Sequence, residues 1–91
     1  MIEYHAAYYP IEDGWFMAVM LDFPGVVSQG KTLKSARRMI RDALRAIATV
    51  DFEGGRPLPK PNPRANDKIA VFQETIPLKA RVTAGGLRET A

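Results

Sequence analysis

Cysteine is absent from the 91 residues, and histidine occurs once. No disulfide framework, no thiolate-ligated zinc or iron–sulfur centre and no site needing two histidines is open to such a chain. No stretch reaches the ~18 apolar residues of a membrane span. The opening Met1-Ile2-Glu3-Tyr4-His5 lacks the basic segment and apolar run of a secretory signal. A cytoplasmic protein without membrane association is therefore expected. The first thirty residues also hold no lysine or arginine. Length leaves room for one domain. A chain this short buries only about 60–65% of the surface its unfolded form exposes, so a partner or self-association is expected to help it.

The net charge of +3 and a pI near 9.5 suggest an acidic partner such as nucleic acid. The charges are segregated, however. Residues 1–30 carry −4, residues 31–50 carry +5 and residues 51–91 carry +2. An acidic segment is joined to a basic one.

Ile2 to Tyr9 and Trp15 to Leu21 read as strands, joined by Glu12-Asp13-Gly14. Asp-Gly favours a hairpin because both positions tolerate positive φ. Asp22-Phe23-Pro24-Gly25 is a second turn, and Val26 to Gln29 a short third strand closed by Gly30. Short links imply an antiparallel meander. Thr32 is the N-cap of a helix over 32–50, with Ser35 where a capping box prefers Glu or Gln. Leu33, Ala36, Ile40, Ala43, Leu44, Ile47 and Val50 form its apolar stripe; Lys34, Arg37, Arg38, Arg41 and Arg45 form a basic stripe opposite. Pro57, Pro59, Pro61 and Pro63 make 51–67 an extended spacer rather than a ligand for a foreign domain. Lys68 to Ile76 is the fourth strand, Pro77 ends it or marks an edge, and Val82 onward reads as a frayed tail.

The order β-β-β-α-β gives an α+β fold: a three-stranded antiparallel meander, a fourth strand, and one helix packed on one face. A right-handed crossover is expected to set the last strand parallel to one of the first three. Trp15, Met17, Val19 and Leu21 point to one face of the second strand, and Phe16, Ala18 and Met20 to the other. Both sets are apolar, yet one helix covers one face. The other is expected to meet a second copy or a partner, and Phe16, Ala18 and Met20 are taken as that oligomer face.

The run Tyr4 to Pro10, Glu12-Asp13-Gly14-Trp15-Phe16, Asp22-Phe23-Pro24-Gly25-Val26-Val27-Ser28-Gln29-Gly30 and Thr32-Leu33-x-x-Ala36 resembles the HicB-like antitoxin domain. Leu58-Pro59-Lys60-Pro61 is similar to that family's loop before its last strand. The resemblance spans about residues 2–76. It implies a partial RNase H-like fold, oligomerisation, and neutralisation of a HicA toxin, an mRNA interferase with a double-stranded-RNA-binding-like fold and a catalytic histidine. Three departures stand out. Val26 replaces a frequent cysteine. Lys34 and Ser35 replace an acidic pair. Residues 77–91 are too short for the DNA-binding domain that many members carry, so a stand-alone domain over 1–76 is expected and DNA autoregulation is doubtful.

No catalysis is expected. Glu3, Glu12, Asp13 and Asp22 are the only acids before residue 42, too dispersed for a magnesium-dependent nuclease, and Asp22 suits its turn. His5 has no evident acid or nucleophile partner and reads as structural. No metal and no cofactor are expected. The leading expectation is a protein-binding module that occludes a HicA-like toxin and self-associates. Glu12, Asp13, Trp15, Asp22 and Phe23 are its candidate partner residues, because an acidic surface can compete with RNA for a basic toxin. The alternative is a small RNA-binding regulator using Lys34, Arg37, Arg38, Arg41 and Arg45. That helix lacks the aromatics with which RNA readers stack bases.

Overall fold

Hairpins set the order of the sheet. The computed structural model describes residues 2–78, 80–83 and 86–89, with side chains through Leu78. Strands β1 (Ile2–Pro10), β2 (Phe16–Met20) and β3 (Val27–Gly30) form the expected antiparallel meander. Glu12–Gly14 makes a single 3-10 turn in which Asp13 and Gly14 take φ of 61° and 78°, as a tight Asp-Gly connection requires. The second turn closes with Met20 N–H donating to Val26 C=O at 2.9 Å.

Helix α1 (Leu33–Glu53) outlasts its expected end by three residues. Thr32 Oγ1 accepts from Ser35 N–H, and Ser35 Oγ accepts from Thr32 N–H, each at 3.0 Å. Serine thus completes a capping box, although its chain is shorter than glutamate's. Gly30 lets β3 run straight into the helix: a Cβ there would lie 2.4 Å from the Ala36 amide nitrogen.

β4 (Phe72–Leu78) pairs antiparallel with β1, from Tyr8↔Phe72 to Ile2↔Leu78, giving the order β3-β2-β1-β4. This corrects the parallel crossover expected from a strand–helix–strand order. Residues 54–71 are an extended return. Eighteen residues can span up to about 60 Å, well beyond the roughly 23 Å of a seven-residue strand. The chain therefore travels back along the sheet before pairing. Pro77 lies opposite Glu3 on the edge strand, where a missing amide donor is tolerated. The segment read as a tail forms an antiparallel pair, β5 (Ala80–Thr83) and β6 (Gly86–Glu89), with its remaining positions outside the described residues.

The helix packs on the face that carries Tyr4, Ala6 and Tyr8 of β1, Ala18 and Met20 of β2, and Ile76 and Leu78 of β4. Ala36, Ile40, Leu44 and Ala48 fill it from the helix, and Phe23 and Val26 close it from the second turn. Phe23 meets the Tyr4 ring at 5.0 Å between centroids. Val26, where cysteine is frequent in the family it resembles, is a fully buried core residue. Val50, assigned to the apolar stripe, is exposed, and Ala48 takes the inward position.

The oligomer-face assignment also changes. Ala18 and Met20 are buried beneath the helix, and Phe16 packs against the same core. The face that the helix leaves is the one bearing His5, Ala7 and Tyr9 of β1, Met17 and Val19 of β2, and Val27 of β3. Its β1–β4 half is covered by the return segment. Ala7 is fully buried although it lies outside the core cluster, and Ala65 and Asn66 line a cleft with His5, Gln73 and Thr75.

Candidate partner-binding surface

The five candidate partner residues separate into two groups. Glu12 and Asp13 stand exposed at the tip of the β1–β2 hairpin. The loop beneath them is closed by Ile11 N–H donating to Trp15 C=O at 2.9 Å and Trp15 N–H donating to Glu12 C=O at 3.2 Å. Trp15 is half-buried, with Lys31 Nζ 5.8 Å from its ring centroid. Asp22 and Phe23, by contrast, are buried, so a partner at the surface does not reach them.

Asp22 has other work. Its Oδ1 accepts from His5 N–H at 2.8 Å, and its Oδ2 accepts from the His5 ring at Nδ1 (2.7 Å) and from Asn62 N–H (3.0 Å). Burial alone would raise this carboxyl, but those hydrogen bonds outweigh it and hold the group below the ordinary aspartate value. The acid partner that His5 lacked in the sequence is therefore Asp22, seventeen positions away and brought close by the β1–β2 pairing. Asp22 ties its turn to β1 and to the return segment; among the described residues its side chain bonds no backbone amide of its own turn, which corrects the local turn role expected of it. Thr75 pairs across the sheet with His5, but among the described residues no hydrogen bond joins the two side chains.

The basic stripe is not a uniform positive face. Arg37 makes a two-pronged contact with Glu74, Nε and Nη2 each at 2.9 Å from its oxygens, and Arg41 reaches the same carboxylate at 3.3 and 3.4 Å. Tyr8 donates its hydroxyl to Glu74 at 2.5 Å. Burial would raise Glu74, but Arg37, Tyr8 and Arg41 bring it down to about 2. Burial and the neighbouring Glu74 together push the Tyr8 hydroxyl well above its ordinary value. Arg45 bonds Asp42 one turn earlier. Lys34 and Arg38 are exposed. Phe72, 37% exposed, lies under the Arg37 guanidinium at 5.4 Å, so an aromatic missing from the helix comes from β4 instead.

Sequence reasoning missed Glu74. Its signal was alternation: Phe72, Glu74 and Ile76 share one face of β4, so an inward glutamate needed a cation. Among the described residues, no three His, Cys, Asp or Glu side chains group to hold a metal ion, and no helix is long and apolar enough to cross a membrane.

These features define a class: a four-stranded antiparallel sheet with one helix across one face and an acidic hairpin tip at its end. No protein-family model matches the chain, and no curated protein matches it. Among solved structures, the N-terminal domain of the Burkholderia pseudomallei antitoxin HicB superposes with a TM-score of 0.68 at 19% identity, over 84% of this chain and 96% of that one. The chain has a HicB-like fold.

Proposed function

We propose that this protein is an antitoxin-like binding module that neutralises a HicA-type mRNA interferase by occupying its surface, without catalysis of its own. The observation that carries the reading is the fold shared with the N-terminal domain of a HicB antitoxin across nearly the whole of that domain. The hairpin tip supports it: Glu12 and Asp13 are exposed on a turn closed by backbone hydrogen bonds, with Trp15 half-buried beside them. An acidic protrusion of this kind would compete with RNA for a basic toxin. Residues 1–76 are the proposed binding domain, acting in the cytoplasm. Self-association would use Met17, Val19 and Val27 rather than the buried Ala18 and Met20.

RNA binding by the helix is the weaker reading. Phe72 beside Arg37 favours it, but Arg37 and Arg41 are already committed to Glu74. Co-expression with a HicA-type toxin, taken from the neighbouring reading frame where one is encoded there, tests the proposal: growth should be rescued, and toxicity that persists would overturn it. Replacing Glu12 and Asp13 with lysine should weaken toxin affinity at low salt, and unchanged affinity would remove the tip from the interface. Filter binding to RNA at low salt separates the alternative.

A further inference from the structure

The return segment is attached to the sheet in an unusual way. One end is anchored in the core, where Leu58 packs against the apolar cluster and Tyr4 donates its hydroxyl to Pro59 C=O at 2.7 Å. The other end is fixed where Val71 N–H donates to Tyr8 C=O at 2.9 Å, just before β4. Between these anchors the contacts to the sheet are polar. Asn62 N–H donates to Asp22, Tyr9 donates its hydroxyl to Asp67 at 2.7 Å, and Gln73 Nε2 donates to Asn66 Oδ1 at 2.9 Å. Apolar attachment is limited to small side chains: Pro61, Ala65 and Ala70 are half-buried, whereas Ile69, the largest apolar residue of the segment, is 79% exposed.

The segment also satisfies itself. Ala65 N–H donates to Asn62 C=O, Arg64 N–H to Asn62 Oδ1, and Ile69 N–H to Asp67 Oδ1. These turns are closed within the segment and use no group of the sheet. Beneath it lie Ala7 and the inner sides of His5 and Tyr9, continuous across β2 with Met17 and Val19.

We propose that residues 60–70 form a strap that opens as a unit between its two anchors, uncovering the second face of the sheet while the helix side stays folded. Opening forfeits a few hydrogen bonds that water can replace, and little apolar burial. That is the condition for local rather than global unfolding. The strap is thus a cover over a surface that otherwise stops at β2.

Limited trypsin digestion with mass spectrometry reads this directly. Arg64 and Lys68 precede Ala65 and Ile69 and can be cut. Arg56 and Lys60 precede proline and resist. Tyr9→Phe removes one clasp without disturbing the helix-side core. It should speed the cuts after Arg64 and Lys68 about five- to tenfold, because the docked state alone loses a hydrogen bond, and the global unfolding constant should rise by no more than the same factor. Asp22→Asn turns an amide NH2 toward donors at one side of its site and should speed them further. Ile40→Val lowers global stability without touching the strap and should leave the two rates unchanged. If Ile40→Val accelerates both cuts as much as Tyr9→Phe, opening is global and the proposal fails. It fails equally if Tyr9→Phe leaves the rates at their wild-type values.

Discussion

The two faces of this sheet are covered by different means. On one, Ile40, Leu44 and their neighbours remove Tyr4, Tyr8 and Ile76 from water. On the other, an extended segment is held by Asp22, Tyr9 and Gln73. Apolar burial contributes roughly 25 cal/mol per Å² wherever shape allows, and water does not substitute for it. A hydrogen bond at a partly wet site contributes only about 0.5–1.5 kcal/mol net, because water competes for both partners. One cover is therefore built to stay, and the other is the part of the fold most easily exchanged for something else.

Breaking the apolar cover should have the largest effect. Ile40→Ala should cost about 2–5 kcal/mol, read as a lowered denaturant midpoint. Gly30→Ala should follow at about 1–3 kcal/mol, because its Cβ would meet backbone at 2.4 Å and the helix start has to shift. A free-energy loss near zero there would mean that β3 and α1 are not rigidly joined.

Acid should loosen both covers. Glu74 is held at about 2 against an ordinary 4.5, so its contribution is present above pH 4.5 and is lost as pH falls toward 2. The linkage amounts to about 3 kcal/mol. Glu74→Gln should flatten the acid limb of the stability curve over that window, and an unaltered limb would deny the Arg37–Glu74–Tyr8 network its role. Asp22 and Asp67 are lowered as well, so the same sign applies to the strap. The smallest global effect belongs to Tyr9→Phe, about 1 kcal/mol, and the same loss should appear in strap cleavage, which Ile40→Val leaves alone.

Much of the scaffold was readable residue by residue. Asp13-Gly14 demanded positive φ, Thr32 and Ser35 marked a helix start, and Ala36, Ile40 and Leu44 kept helical spacing. The candidate site was less readable. Asp22 and Phe23 look like an acidic, aromatic turn available to a partner, but packing draws both inward. Arg37 and Arg41 look like a free basic stripe until Glu74, more than thirty positions later, is set against them. Neither fact has a local signal, because each depends on which strand lies beside which.

The sequence by itself determined the order and kind of the elements through β4, the caps and turns that bound them, and the segregation of charge along the chain. Those follow from the chemistry of neighbours within a few residues. The tertiary structure decided that β4 runs antiparallel to β1, that Phe16, Ala18 and Met20 face the helix, and that His5 meets Asp22. A two-residue period states that a strand has two faces without stating which one the helix will take. That choice rests on long-range burial, and the eighteen-residue return left the chain free to make it.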